Sequence, residues 1–86
     1  MPQYRKKPVL IEARQLTDNK AESVSIIKWM HDYNCHAIYH GETGYITIPT
    51  LEGNHLAKIG DYIIRGVVNE FYPCKQSIFE DTYEEI

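Results

Sequence analysis

The residues of this chain best suited to chemistry are four histidines, His31, His36, His40 and His55, and two cysteines, Cys35 and Cys74. Their spacing does not build a metal centre. His36 and His40 lie four apart in a stretch that reads as a strand, so their Cα atoms stand about 13 Å apart, too far for one ion to bridge. Cys35 and His36 point to opposite faces of that strand. Cys74 belongs to no nucleophile elbow and no known cysteine-enzyme signature; it reads as a small apolar group filling a core gap. GETG (41–44) is a hairpin turn and not a phosphate loop, and Asp61 after Gly60 is explained by an Asx-type turn. The chain is therefore read with no catalytic residue, no metal and no cofactor.

What remains is cationic and aromatic. Arg5, Lys6, Lys7 and Arg14 crowd the first segment, Arg65 and Lys75 flank the second half, and seven tyrosines and Trp29 are spread between them. Arginine offers a planar fork to phosphate or to a guanine edge, and aromatic rings stack on bases. If the first strand neighbours the carboxy-terminal hairpin, Arg5, Lys7, Arg65 and Lys75 surround a pocket in which Tyr72 and Trp29 stack. The plainer reading is a sheet face with an Arg65–Glu70 ion pair worth under about 1 kcal/mol. A lone tryptophan on a helix is, moreover, more often core than platform. The net charge of −3 builds in no long-range attraction to DNA or RNA, and Glu80, Asp81, Glu84 and Glu85 concentrate acid at the far end.

The elements that must position these groups follow from periodicity. In YRKKPVLIEARQL (4–16), Val9, Ile11 and Ala13 alternate with Leu10, Glu12 and Arg14, which predicts a strand beginning near Pro8 or lying at an edge. TDN (17–19) supplies capping side chains for a helix over KAESVSIIKWMHDYN. Its apolar stripe is read as Val24, Ile27 and Met30, with Ile26, Trp29 and Tyr33 beside it, and Asn34 is its terminator. CHAIYH, GETG and YITIPT predict a hairpin with Tyr39 opposite Ile46. LEGNHLAKIG (51–60) reads as a loop containing a short strand.

GDYIIRGVVNEFYPC (60–74) predicts a second hairpin. A tight turn at Val68–Asn69 and a four-residue loop over 66–69 have the same parity. Both put Ile63, Arg65, Glu70, Tyr72 and Cys74 on one face, with Arg65 stacked beside Tyr72. KQSIFEDTYEEI predicts a short helical turn with Ile78, Phe79 and Tyr83 packing inward. The expected fold is α+β: one amphipathic helix on a small, mainly antiparallel twisted sheet, with a short carboxy-terminal helical turn.

Eighty-six residues leave room for one domain, 1–86, and for a core that self-association would help. An apolar share of 43% is too high for a disordered chain. No apolar run approaches the roughly 18–20 residues of a membrane span, and no signal peptide is visible. With two unpaired cysteines, these features predict a cytoplasmic protein.

Two segments, YRKKPVLIEA and TLEGNHLAKIGDYIIRGVVNEFYPCKQSIFEDTYE, resemble a widespread set of small phage and prophage proteins. These begin with a tyrosine, basic residues and a proline, and end in a G-D-[YW]-I-I-x-G…E-F-Y-P-C…F-x-x-T-Y-E run. The helix and the first hairpin carry no recognised motif. Some phage proteins of this size and pattern resemble the anti-CBASS sponges, which bind a cyclic dinucleotide such as cyclic GMP–AMP without cleaving it. The resemblance implies a homo-oligomer, a tetramer by analogy, acting in the cytoplasm of the infected cell with no DNA, RNA or membrane partner. On that expectation Arg65 and Lys75 take phosphate, Arg5 and Lys7 add cationic contacts, and Tyr72 and Trp29 stack. The alternative is a small phage interaction module that docks on a host enzyme through a mixed sheet face around His36, His40, Tyr45 and Thr47.

Overall fold

The computed structural model describes residues 2–5 and 7–86; Lys6, one of the basic residues of the first segment, lies outside them. The element order is β1 (Glu12–Gln15), α1 (Lys20–Asp32), β2 (Ile38–His40), β3 (Tyr45–Thr50), β4 (Gly53–Ala57), β5 (Tyr62–Arg65), β6 (Phe71–Cys74) and α2 (Gln76–Thr82). The fold is α+β, but the strands form two antiparallel sheets of three, β1-β5-β6 and β2-β3-β4, where one sheet was expected. The sheets meet through β6, which packs on β3 and β4. Among the described residues, no helix is long and apolar enough to cross a membrane.

Local chemistry explains most boundaries. Asn19 caps α1, its side chain accepting from the Glu22 N–H at 3.1 Å. At the other end Asn34 takes φ +64°, Cys35 N–H donates to the Met30 carbonyl and Asn34 N–H to that of His31. That is a Schellman ending, with Asn34 in the left-handed position usually given to glycine. The helix buries Ser23, Ile26, Trp29 and Met30, while Val24 is 53% exposed. The buried stripe is thus rotated from the one centred on Val24 and Ile27, because Trp29 turns inward.

The first hairpin has its predicted four-residue loop and the Tyr39–Ile46 pairing. Segment 51–60 holds a full strand, β4, which completes a meander through a turn at Leu51–Glu52. β1 begins at Glu12, not near Pro8; Val9 and Leu10 are exposed. Its partner β5 offers only the four residues Tyr62–Arg65, so nothing pairs with the chain further back.

The register of the second hairpin differs from expectation by one residue. Arg65 pairs with Phe71 and Ile64 with Tyr72. The connection is odd: Gly66 N–H donates to the Glu70 carbonyl, Asn69 N–H to the Gly66 carbonyl, and Asn69 sits at φ +63°. This is a three-residue loop closed by a left-handed residue, and its odd length reverses the parity of a two- or four-residue loop. Glu12, Arg14, Ile63, Arg65 and Phe71 consequently share the face toward α1. Ala13, Tyr62, Ile64, Tyr72 and Cys74 share the opposite face.

The second face is covered by α2, where Phe79 stacks on Tyr62 with ring centroids 3.9 Å apart and Tyr83 follows at 5.0 Å from Phe79. Ile78, expected inside, is 55% exposed; the short helix turns only its Phe79 side to the sheet. Leu16, Ile26, Trp29, Met30, Ala37, Ile46, Ile48, Ala57, Ile63 and Phe71 form one core cluster that joins both sheets to α1.

Candidate functional site

Glu12 organises the predicted arginine. Its Oε1 accepts from Trp29 Nε1–H at 2.8 Å and from Arg65 Nε–H at 3.2 Å. Arg65 also donates from Nη1 to Asn69 Oδ1 at 2.6 Å, and its guanidinium lies 4.3 Å over the Tyr33 ring. The Trp29 hydrogen bond, with Arg65 adding to it, holds the Glu12 carboxyl below its ordinary value despite partial burial. Among the described residues, Arg65–Glu12 is the one ion pair. Glu70, the expected partner, turns back to accept from Val68 N–H at 3.1 Å and caps its own loop.

The structure does not bring the six predicted site residues together. Arg5 and Lys7 lie on the exposed segment before β1. Trp29 is buried, meets Phe71 edge-on at 5.1 Å and carries the Arg14 guanidinium 4.6 Å from its centroid, so it is a core residue and not a platform. Arg65 stacks on Tyr33 and not on Tyr72, because the odd loop sends Tyr72 to the α2 face. There burial, with Tyr83 adjacent, raises the Tyr72 hydroxyl to about 12. Lys75 precedes α2 and lines a shallow depression with Lys58, Asp61 and Glu80. The hairpin's parity separates Tyr72 from Arg65, and the late start of β1 leaves Arg5 and Lys7 outside the sheet.

Concavities lie beside these residues and elsewhere: one of about 380 Å³ is lined by Glu12, Arg65 and Val67, and one of about 740 Å³ by Leu10, Tyr62, Phe79 and Tyr83. A hollow of about 580 Å³ opens between the β3–β4 and β5–β6 turns, with Tyr33, Cys35, Pro49, Leu51, His55 and Phe71 among its lining. Its volume falls within the ordinary range of small ligand sites. Glu52 and Glu70 stand at its two sides. Leu51 of this lining is fully exposed at one turn, and Val67 and Val68, outside the lining, are exposed at the other. Cys35 is a free thiol whose ionisation burial disfavours, which makes it a poor nucleophile. The missed sequence signal was the pair of turns themselves: TLEG and GVVNE each put an apolar side chain at a tip where polar residues are usual.

The expected mixed face is present without His36: β2 begins at Ile38 and not at Cys35, and His36 packs on His31 instead. His40 and Tyr45 are cross-strand partners, Ile38 is exposed opposite Thr47, and His40 Nε2 lies 2.6 Å from Thr47 Oγ1. Among the described residues, no group of three or more histidine, cysteine or acidic side chains is placed to hold a metal ion. A scan against protein-family models, a search of curated proteins and a search of solved structures each returned no match.

Proposed function

We propose that this protein is a non-catalytic docking module that grips an apolar side chain, flanked by lysine or arginine, on a partner protein. The observation that carries this reading is the hollow between the two turns: Tyr33, Pro49, Leu51 and Phe71 line it together with Glu52 and Glu70, Leu51 is fully exposed, and exposed Val67 and Val68 lie on the same β5–β6 turn. Apolar contacts supply affinity at such a site, and the two carboxylates select a basic flank and steer its approach. The resemblance to small phage proteins suggests a host enzyme as the partner. The turns suit docking better than the face around His40, Tyr45 and Thr47, because they combine apolar exposure with concavity.

The test is site-specific photo-crosslinking from positions 51 and 68, with position 38 on the mixed face as the control. The captured protein is then purified and rebound. The reading requires crosslinks from 51 and 68 and at least roughly tenfold weaker rebinding by a Leu51→Asp/Val68→Asp double variant. Crosslinks confined to position 38, or rebinding unaffected by the double variant, would overturn it.

A second reading is the cyclic-dinucleotide decoy, a sponge for an anti-phage immune signal. What favours it is the arginine itself: Arg65 is held rigid over Tyr33, and Asn69, which fixes it, borders the hollow. Glu12 offsets its charge, however, and Glu52 and Glu70 repel phosphate. A decoy therefore needs cations from elsewhere, such as Arg5 and Lys7 of a second copy in a homo-oligomer. Calorimetric titration with cyclic GMP–AMP, followed by heat release and recovery of the intact ligand, tests this. Absence of heat at low salt removes the decoy, and altered ligand would make the protein an enzyme.

A further inference from the structure

His31 and His36 are five residues apart in sequence, and the Schellman ending of α1 folds them together. His31 Nε2 and His36 Nδ1 are 3.4 Å apart, and the rings meet edge to face at 4.6 Å. The backbone between them is pinned by three hydrogen bonds, Tyr33 and Cys35 to the Met30 carbonyl and Asn34 to that of His31. We infer that this pair is a binding site for a divalent transition cation of the zinc class, separate from the hollow between the turns.

The distance is the first argument. Two nitrogens each about 2.05 Å from one ion at the tetrahedral angle are about 3.35 Å apart, so the two nitrogens already stand at the separation that a shared metal requires, and ring rotation aims their lone pairs at it. Imidazole suits zinc, nickel and copper, and excludes magnesium or calcium as the natural occupant. The field is the second argument. The pair sits at the carboxy-terminal end of a 13-residue helix, where the helix dipole favours positive charge. A shared metal replaces the hydrogen bond between the facing nitrogens: the ring that donates it shifts its proton to its other nitrogen, so that both N–H groups, on His31 Nδ1 and His36 Nε2, point away from the ion and no net proton is released from neutral rings. With two protein ligands, the remaining coordination positions stay with water, so the site is exchangeable and not a structural zinc centre.

Titration of the whole chain with zinc chloride tests this, read by calorimetry and by the imidazole carbon-bound proton resonances. The expected result is one equivalent bound, with the His31 and His36 resonances moving together. His31→Gln and His36→Gln should each weaken binding by roughly tenfold or more, and His40→Gln should leave it unchanged. Both positions are exposed and the variants' helicity is checked in parallel. Equal zinc affinity in the parent and in His36→Gln, or His40 and His55 resonances moving first, would overturn the assignment.

Discussion

Glu12 is the residue on which most local interactions converge, and it separates charge from hydrogen bonding. Glu12→Gln keeps an acceptor for Trp29 Nε1 while removing the charge facing Arg65. An ion pair this exposed is worth under about 1 kcal/mol, so a small loss is expected in urea unfolding. Glu12→Ala leaves the indole N–H of a buried tryptophan without its partner, and about 1–3 kcal/mol should be lost. Acid should reveal the charge as well. Because the folded value lies below the ordinary 4.5, the stabilisation is complete above that pH and is lost as pH falls through the folded value. The stability gap between parent and Glu12→Gln should therefore narrow between about pH 6 and about pH 3. A gap that widens on acidification would reverse the assigned shift.

Among the elements, the β5–β6 hairpin decides the most, because its three-residue loop sets which side chains meet α1. Asn69 does two things there: it occupies φ +63° and it accepts from Arg65 Nη1. Glycine separates them. Asn69→Gly should hold the register at little cost while loosening Arg65, seen as lost protection of its guanidinium N–H protons from exchange. Asn69→Val forces a β-branched side chain into the left-handed region and should cost about 1–2 kcal/mol or more in thermal unfolding. Asparagine tolerates positive φ better than most residues with a side chain. Two, three or four residues of loop all use such a residue, and only the packing of Phe71 under Trp29 selects three.

At the level of the molecule, one core serves two sheets, and Phe71 sits where they join. Phe71→Ala should cost about 3–5 kcal/mol. A domain of this length has only roughly 4–13 kcal/mol in total, so a large share of its stability should go, read as a clearly lower midpoint in thermal unfolding by near-ultraviolet dichroism. An unchanged midpoint would mean that the sheets are held together elsewhere. The same junction explains why the hollow between the turns escaped the sequence reading: TLEG and GVVNE are sixteen residues or so apart and become neighbours only through β6 packing on β3 and β4.

What the chain's own order of residues determined was local: the Asn19 cap, the Asn34 stop, the GETG hairpin, an α+β class and a short helix after Cys74. Each depends on backbone geometry or side-chain hydrogen bonds within a few residues, and those are written in adjacent letters. Which face Arg65 occupies, that Trp29 is core, and that His31 meets His36 depended on loop parity and burial. Competing registers differ by one residue and use the same side chains, so only the free energy of packing them all at once could choose between them.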